Sequence, residues 1–207
     1  MRKPTNRSGG KDGFLFVGNE LAIDLVNTCP VLEGEPVELL KDFSAVLRWF
    51  RAAELLGPGE KASLERQWGG TERAQKTTEA MRHLREKLRT EMLLWERGGA
   101  IRGSTIDDLN RLLADHPMRT RLATHGNAHF RELWFEAGKP EDLFAPLAHS
   151  AATLFTTVDQ KRVRKCARCV LHFRDTSKKG TRRWCSMRLC GNRFKVRAYA
   201  DRRRNRR

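Results

Sequence analysis

The chain has 207 residues, 39% of them apolar, and a formal net charge of +16. That length suits one ordinary domain with a small appendage, and the apolar share supports a packed core rather than wholesale disorder. No apolar run reaches the ~18 residues a membrane-spanning helix needs, so a helical span is excluded.

Residues 1–13 are polar and glycine-rich and lack the apolar stretch of a secretory signal. They read as a flexible leader, and a cytoplasmic location with reduced thiols is expected. Phe14–Val17 is a short apolar run that can form a strand, and Glu20–Thr28 reads as a short helix stopped by Pro30. Asp42 is placed to cap a helix carrying Phe43, Val46, Leu47 and Phe50 at helical spacing. Gly57-Pro58-Gly59 breaks the chain before a brief helix over Glu60–Trp68, and Gly69-Gly70 breaks it again. Glu72–Arg97 is the longest helix candidate, with Met81, Leu84, Leu88, Met92 and Trp95 on one stripe. Ser104-Thr105-Ile106-Asp107 resembles a capping box that opens a helix carrying Leu109, Leu112 and Leu113. Around Gly126-Asn127 the period changes, so 121–125 and 128–135 read as the arms of a hairpin. Glu141–Val158 returns to helix. This body shows no P-loop, zinc-protease motif, nucleophile elbow or dinucleotide fingerprint, so an enzyme is not expected. Asp24 and Asn27 share one helical face and are a possible ligand site, although such residues more often cap neighbours or face solvent. His83, His116, His125, His129 and His149 have no metal-ligand spacing, and Cys29 reads as a packing or surface thiol.

The charge is segregated. Residues 161–207 hold 19 Lys and Arg against two acids, Asp175 and Asp201, a net of +17. Residues 1–160 hold 22 basic and 23 acidic groups, a net of −1. A segregated excess is the footprint of a polyanion partner. The bland alternative is a disordered basic arm, but four of the five cysteines lie in the same segment. Cys166 and Cys169 are separated by two residues, Cys185 and Cys190 by four, and fifteen residues lie between the pairs. Two such pairs can close a tetrahedral zinc site with no open position, which makes the metal structural. Iron–sulfur spacings differ, and a redox disulfide needs only one pair. His172 is a possible substitute ligand, though the four cysteines complete the set. A module this small needs the metal to fold. Asn192 is a candidate cap for a basic helix over Arg193–Arg204, able to enter a major groove or lie across phosphates.

The stretch Arg182-Arg183-Trp184-Cys185-Ser186-Met187, followed by Cys190-Gly191-Asn192-Arg193, resembles the signature of CGNR zinc-finger proteins, as does Phe173-Arg174-Asp175-Thr176-Ser177 before it. The first cysteine pair is more closely spaced here than in many relatives. Phe16–Thr28 looks like the opening of the ABATE domain, which commonly precedes that finger, and 141–158 is similar to its end. The resemblance implies a bacterial stress-induced transcription regulator.

The expected architecture is therefore α+β: a leader at 1–13, a mainly helical domain with a small hairpin at 14–160, and a four-cysteine zinc finger with a basic helix and tail at 161–207. One Zn2+ is expected on Cys166, Cys169, Cys185 and Cys190. The expected partner is duplex DNA, contacted by Arg182, Arg183, Arg193, Lys195, Arg197, Arg202, Arg203 and Arg204, with a small-molecule effector or an association role for the body. RNA binding is the alternative, and an enzyme tethered by its finger a lesser one. The two parts are expected to fold separately, so that a fragment ending near Gln160 stands alone.

Overall fold

The computed structural model describes residues 9–192. In chain order its regular elements are β1 (Gly9–Lys11), β2 (Phe14–Phe16), α1 (Leu21–Val26), β3 (Val31–Leu32), β4 (Glu35–Pro36), α2 (Phe43–Ala52), α3 (Pro58–Trp68), α4 (Glu72–Glu96), α5 (Gly103–Asp115), β5 (Arg119–His125), β6 (Ala128–Trp134), α6 (Phe144–Thr157), β7 (Val163–Lys165) and β8 (His172–Arg174). The strands form four separate antiparallel pairs, each of two neighbours in sequence. The fold is mainly helical α+β, as the sequence implied.

Helix α1 lies at the centre. It has only six residues, yet Ala22, Ile23, Asp24, Leu25 and Val26 are all buried, against α4 and α6. Its first turn lacks a side-chain cap of its own, and Ser150 of α6 supplies the acceptor, taking the Ala22 N–H at 3.0 Å. Around it, Phe16, Trp49, Phe50, Met81, Leu88, Met92, Leu147 and Leu154 close the main core. In α2, Asp42 accepts the Ala45 N–H at 2.7 Å, the cap its sequence promised. Helix α4 spans 25 residues, roughly 37 Å at about 1.5 Å per residue, and forms the spine of the molecule.

Some boundaries differ from expectation. Lys11 and its neighbours do not remain a free leader: Gly9–Lys11 pairs with Phe14–Phe16 through an Asp12-Gly13 turn whose φ angles are +51° and +83°. Helix α5 starts at Gly103, before the expected capping box. The reason is Glu91 of α4, fully buried, whose carboxylate accepts the Arg102 N–H at 3.2 Å, Arg102 Nε at 2.6 Å and Thr105 Oγ1 at 2.7 Å. A carboxylate from a different helix thus does the capping. Burial works against the charge on Glu91, but those hydrogen bonds outweigh it and hold its carboxyl below the usual range.

Candidate metal centre and its seat on the body

The hairpin of β7 and β8 carries the first cysteine pair in its loop. The Cys166 N–H donates to the Leu171 carbonyl at 2.8 Å, which folds 166–171 into a tight knuckle. In the second pair Cys185 precedes, and Cys190 lies within, a single wide helical turn, Met187–Gly191. Ser186 caps that turn, its hydroxyl accepting the Arg188 N–H at 3.2 Å, and its carbonyl takes the Cys190 and Gly191 N–H groups. Asn192 has helical angles (φ −66°, ψ −41°) at the end of this turn, and the helix it was expected to cap lies outside the described residues. Gly191 sits close beneath the Met187 thioether and the Trp184 ring: a Cβ there would lie 2.5 Å from Met187 Sδ and 3.2 Å from the indole.

The four sulfur atoms of Cys166, Cys169, Cys185 and Cys190 lie within 4.8 Å of one another. Cys169–Cys185 and Cys185–Cys190 are each 3.7 Å apart. A zinc tetrahedron with bonds of about 2.3 Å has edges of about 3.8 Å, so the cage has the dimensions of the ion. Its chemistry also calls for a cation. Hydrogen bonds from Cys169 and Cys185 lower the pKa of Cys166, and the same crowding pushes Cys169 up to about 12 and raises Cys185. Four thiols this close cannot all ionise unless a metal carries the charge. The donor set accommodates one structural zinc ion. Cys169 is half-buried and the other three are buried. His172 is not in the cage; it faces the body.

Two residues brace the finger from within. Asp175 is fully buried; its carboxylate accepts the Ser177 N–H at 2.9 Å and the Arg182 N–H at 2.8 Å, tying off the 175–182 loop. Burial opposes its charge, yet these bonds keep the carboxyl below its ordinary range. Arg182 stacks its guanidinium 4.4 Å from the Phe173 ring centre and donates to the carbonyls of Trp184 and Cys185. Arg182 was expected to contact nucleic acid; its charged group is instead committed to the finger's own backbone. Arg183 is exposed beside the Trp184 ring, and Arg168, Lys178, Lys179 and Arg188 are exposed as well. The remaining expected contacts, Arg193, Lys195, Arg197, Arg202, Arg203 and Arg204, and the basic helix that would carry them, lie outside the described residues.

The finger is seated on the body through the residues that the sequence suggested as a ligand site. Asn27 Nδ2 donates to the His172 carbonyl and the His172 N–H donates to Asn27 Oδ1, both at 2.9 Å, so a side-chain amide serves β8 as a neighbouring strand would. Further along, the Arg174 N–H donates to the Gly18 carbonyl at 2.7 Å, Asn19 Nδ2 donates to the Arg174 carbonyl at 2.9 Å, and Arg174 pairs with Glu20. Asp24 holds the 18–19 turn in place by accepting the Gly18 N–H at 2.7 Å. A Cβ at Gly18 would come within 2.8 Å of Ile23 Cβ and Asp24 Oδ1, so the approach requires glycine. Asp24 and Asn27 are 3% and 2% exposed, buried in this junction with their side chains engaged by Gly18 and His172. A cavity of about 250 Å³ does occur, but at the base of the β5–β6 hairpin, lined by Asp115, His116, Arg119, Phe135 and Glu136.

The junction has an apolar part too. Val17 packs with Cys166, Leu171, Phe173, Cys185 and Cys190, and Leu15 borders them. The finger thus completes its small core with residues from the other end of the chain. His172 sits in the same junction, 2% exposed, with Glu96 3.9 Å from its ring. Burial, then the nearby Arg89 and Lys165 charges, push its pKa down to about 4.

Comparison with protein families places these features. Residues 19–158 match the ABATE model, described as "putative stress-induced transcription regulator", and residues 162–203 match the CGNR zinc finger. A search of curated proteins found no match. With a family model covering more than half of its length and a four-cysteine cage in the matching finger, the chain belongs to the ABATE family and ends in a CGNR zinc finger.

Proposed function

We propose that this zinc-binding protein is a transcription regulator that binds duplex DNA through its finger and C-terminal basic segment. The observation that carries this reading is the segregation of +17 onto residues 161–207, the segment organised by the metal. Exposed Arg168, Lys178, Lys179, Arg183 and Arg188 supply phosphate contacts from the finger itself. Arg193, Lys195, Arg197 and the cluster Arg202, Arg203, Arg204 add the charge that follows the metal cage. The zinc fixes the backbone near Arg193, which makes that residue the best candidate for reading a base edge.

The body supplies the platform that aims the finger. Because Asn27, Asn19 and Gly18 bind the backbone of β8, a rearrangement of α1 is felt by the finger. This is the route by which the body would pass on a signal. Single-stranded RNA is the weaker reading, since that mode needs open aromatic surfaces for stacking. Phe173 is fully buried beneath Arg182, and Trp184 is half-buried beside Gly191 and Arg183.

The test is binding of the zinc-loaded chain to genomic duplex fragments, followed by footprinting of those retained. Protection of a recurrent sequence supports a site-specific regulator. Equal binding to every sequence and strand type defeats it.

A further inference from the structure

The β5–β6 hairpin stands away from the core of the body. Its seven residue pairs run in unbroken register from Arg119↔Trp134 to His125↔Ala128, and no residue of either strand is buried. Among the described residues no backbone hydrogen bond leaves the pair for another element. A two-stranded ribbon is marginal alone, and an open edge of this length is a template for another strand. Leu122 is 77% exposed and Leu133 46%. We propose that this hairpin is a self-association arm, in which β5 pairs antiparallel with β5 of a second copy of this chain.

The register selects both the edge and the centre of the pairing. A two-residue loop closed by the His125–Ala128 pair places the ladder bonds at alternate residues, 125, 123, 121 and 119 on β5. The N–H and C=O groups of Thr120, Leu122 and Thr124 therefore point outward on the β5 edge, and those of His129, Arg131 and Leu133 outward on the β6 edge. A two-fold pairing of β6 centred on Arg131 sets Arg131 against its own copy, and like charges directly opposite are destabilising. The same pairing of β5 centred on Leu122 sets Leu122 on Leu122 and Thr120 on Thr124. Its other face sets Arg121 on Ala123 and Arg119 on His125. No arginine meets an arginine and no polar backbone group is left over, and β5 carries neither a proline nor a bulge to block the approach.

The position of the arm favours a second copy over DNA as the occupant. The root of the hairpin meets the start of α4, where Trp68 Nε1 donates to the Gly138 carbonyl at 3.0 Å and Arg73 pairs with Glu141 at 2.7 Å. The finger meets the opposite end of α4, where His172 approaches Glu96. About 34 Å of helix separates the two at about 1.5 Å per residue. A dimer joined at β5 leaves both fingers free at its outer ends. Seven strand residues from each copy fall short of the ~20–30 per side of a standard interface, so the association is expected to be reversible and concentration-dependent.

The test uses the full zinc-loaded chain and needs no DNA. Sedimentation velocity from about 1 to 100 µM should show a monomer–dimer equilibrium that Leu122→Glu abolishes and Glu132→Gln, on the opposite face, leaves in place. Both positions lie on an unpacked hairpin, and an unchanged thermal transition checks that each variant is folded. In a Cys29→Ser background, Leu122→Cys should form an intermolecular disulfide under mild oxidation, whereas Ile106→Cys on exposed α5 should not. A chain that stays monomeric at 100 µM, or a dimer indifferent to Leu122→Glu, overturns the proposal. Failure of Leu122→Cys to cross-link while the dimer persists overturns the register and with it the β5 arm.

Discussion

Replacing Asn27 by Ala gives the sharpest test of how the finger is held. The substitution removes both 2.9 Å hydrogen bonds to His172 and leaves a buried backbone N–H and carbonyl without partners. Each orphaned buried group costs about 1–3 kcal/mol, so the pair should cost roughly 2–5 kcal/mol. Because the lost partners lie 145 residues away in the finger, the loss should appear there as well as in the body. In the zinc-loaded chain, urea unfolding should shift by that amount, and chelator should strip the metal faster than from the parent protein. Asn27→Asp sharpens the comparison: it retains an acceptor for the His172 N–H but sets an anion against the His172 carbonyl, and should recover only part of the loss. A shift below about 0.5 kcal/mol with unchanged zinc release would show that the finger is merely tethered, and the reasoning would fail.

Other outcomes follow from the same junction. Metal analysis should find one zinc per chain, and chelation should reduce amide protection in α1 as well as in the finger, because α1 side chains bind β8. Gly18→Ala should destabilise the chain by about 1–3 kcal/mol, since the added methyl group meets Ile23 and Asp24 of a fully packed helix. His172 has its pKa lowered from 6.5 to about 4, so the unfolded chain binds a proton that the folded chain refuses throughout that window. Stability should therefore fall as pH drops from about 6.5 to about 4, by about 3 kcal/mol in all, and then level off. Comparing denaturation of the parent and His172→Leu across that range isolates this contribution from thiol protonation, which both share; superimposable pH profiles would exclude His172 as its source. Arg182 and Arg183 should behave differently despite being neighbours. Arg183→Ala should weaken DNA binding mildly and lower the salt slope by about one, with zinc retained, whereas Arg182→Ala should loosen the finger itself.

What the sequence revealed depended on how local its causes are. The Asp42 cap, the stripe along α4 and the two cysteine pairs involve residues a few positions apart, and each was legible. The 119–134 hairpin announced itself through alternation around Gly126-Asn127. The Asp12-Gly13 turn carried a comparable signal, hidden in a glycine-rich stretch that reads as a leader. The start of α5 could not be read locally because its capping carboxylate, Glu91, belongs to another helix. Asp24 and Asn27 stood out as polar residues in an apolar helix, but nothing local names the partners they hold. Their meaning lies in Gly18 and in His172, the latter far along the chain, and only folding brings them together. Arg182 illustrates the same limit: in a run of cations nothing distinguishes the one whose guanidinium turns inward onto Phe173.

The central claim is that a zinc-organised finger presents its charge to duplex DNA. The most direct measurement is the affinity of the full chain for a duplex and for single-stranded RNA of matched sequence, with and without chelator, across a salt series. The account predicts a preference for the duplex, a steep fall with salt of about 0.9 log units per log unit for each phosphate contacted, and a loss of roughly tenfold or more when zinc is removed. Equal affinity for both nucleic acids, or duplex binding unchanged by removal of the metal, would contradict it.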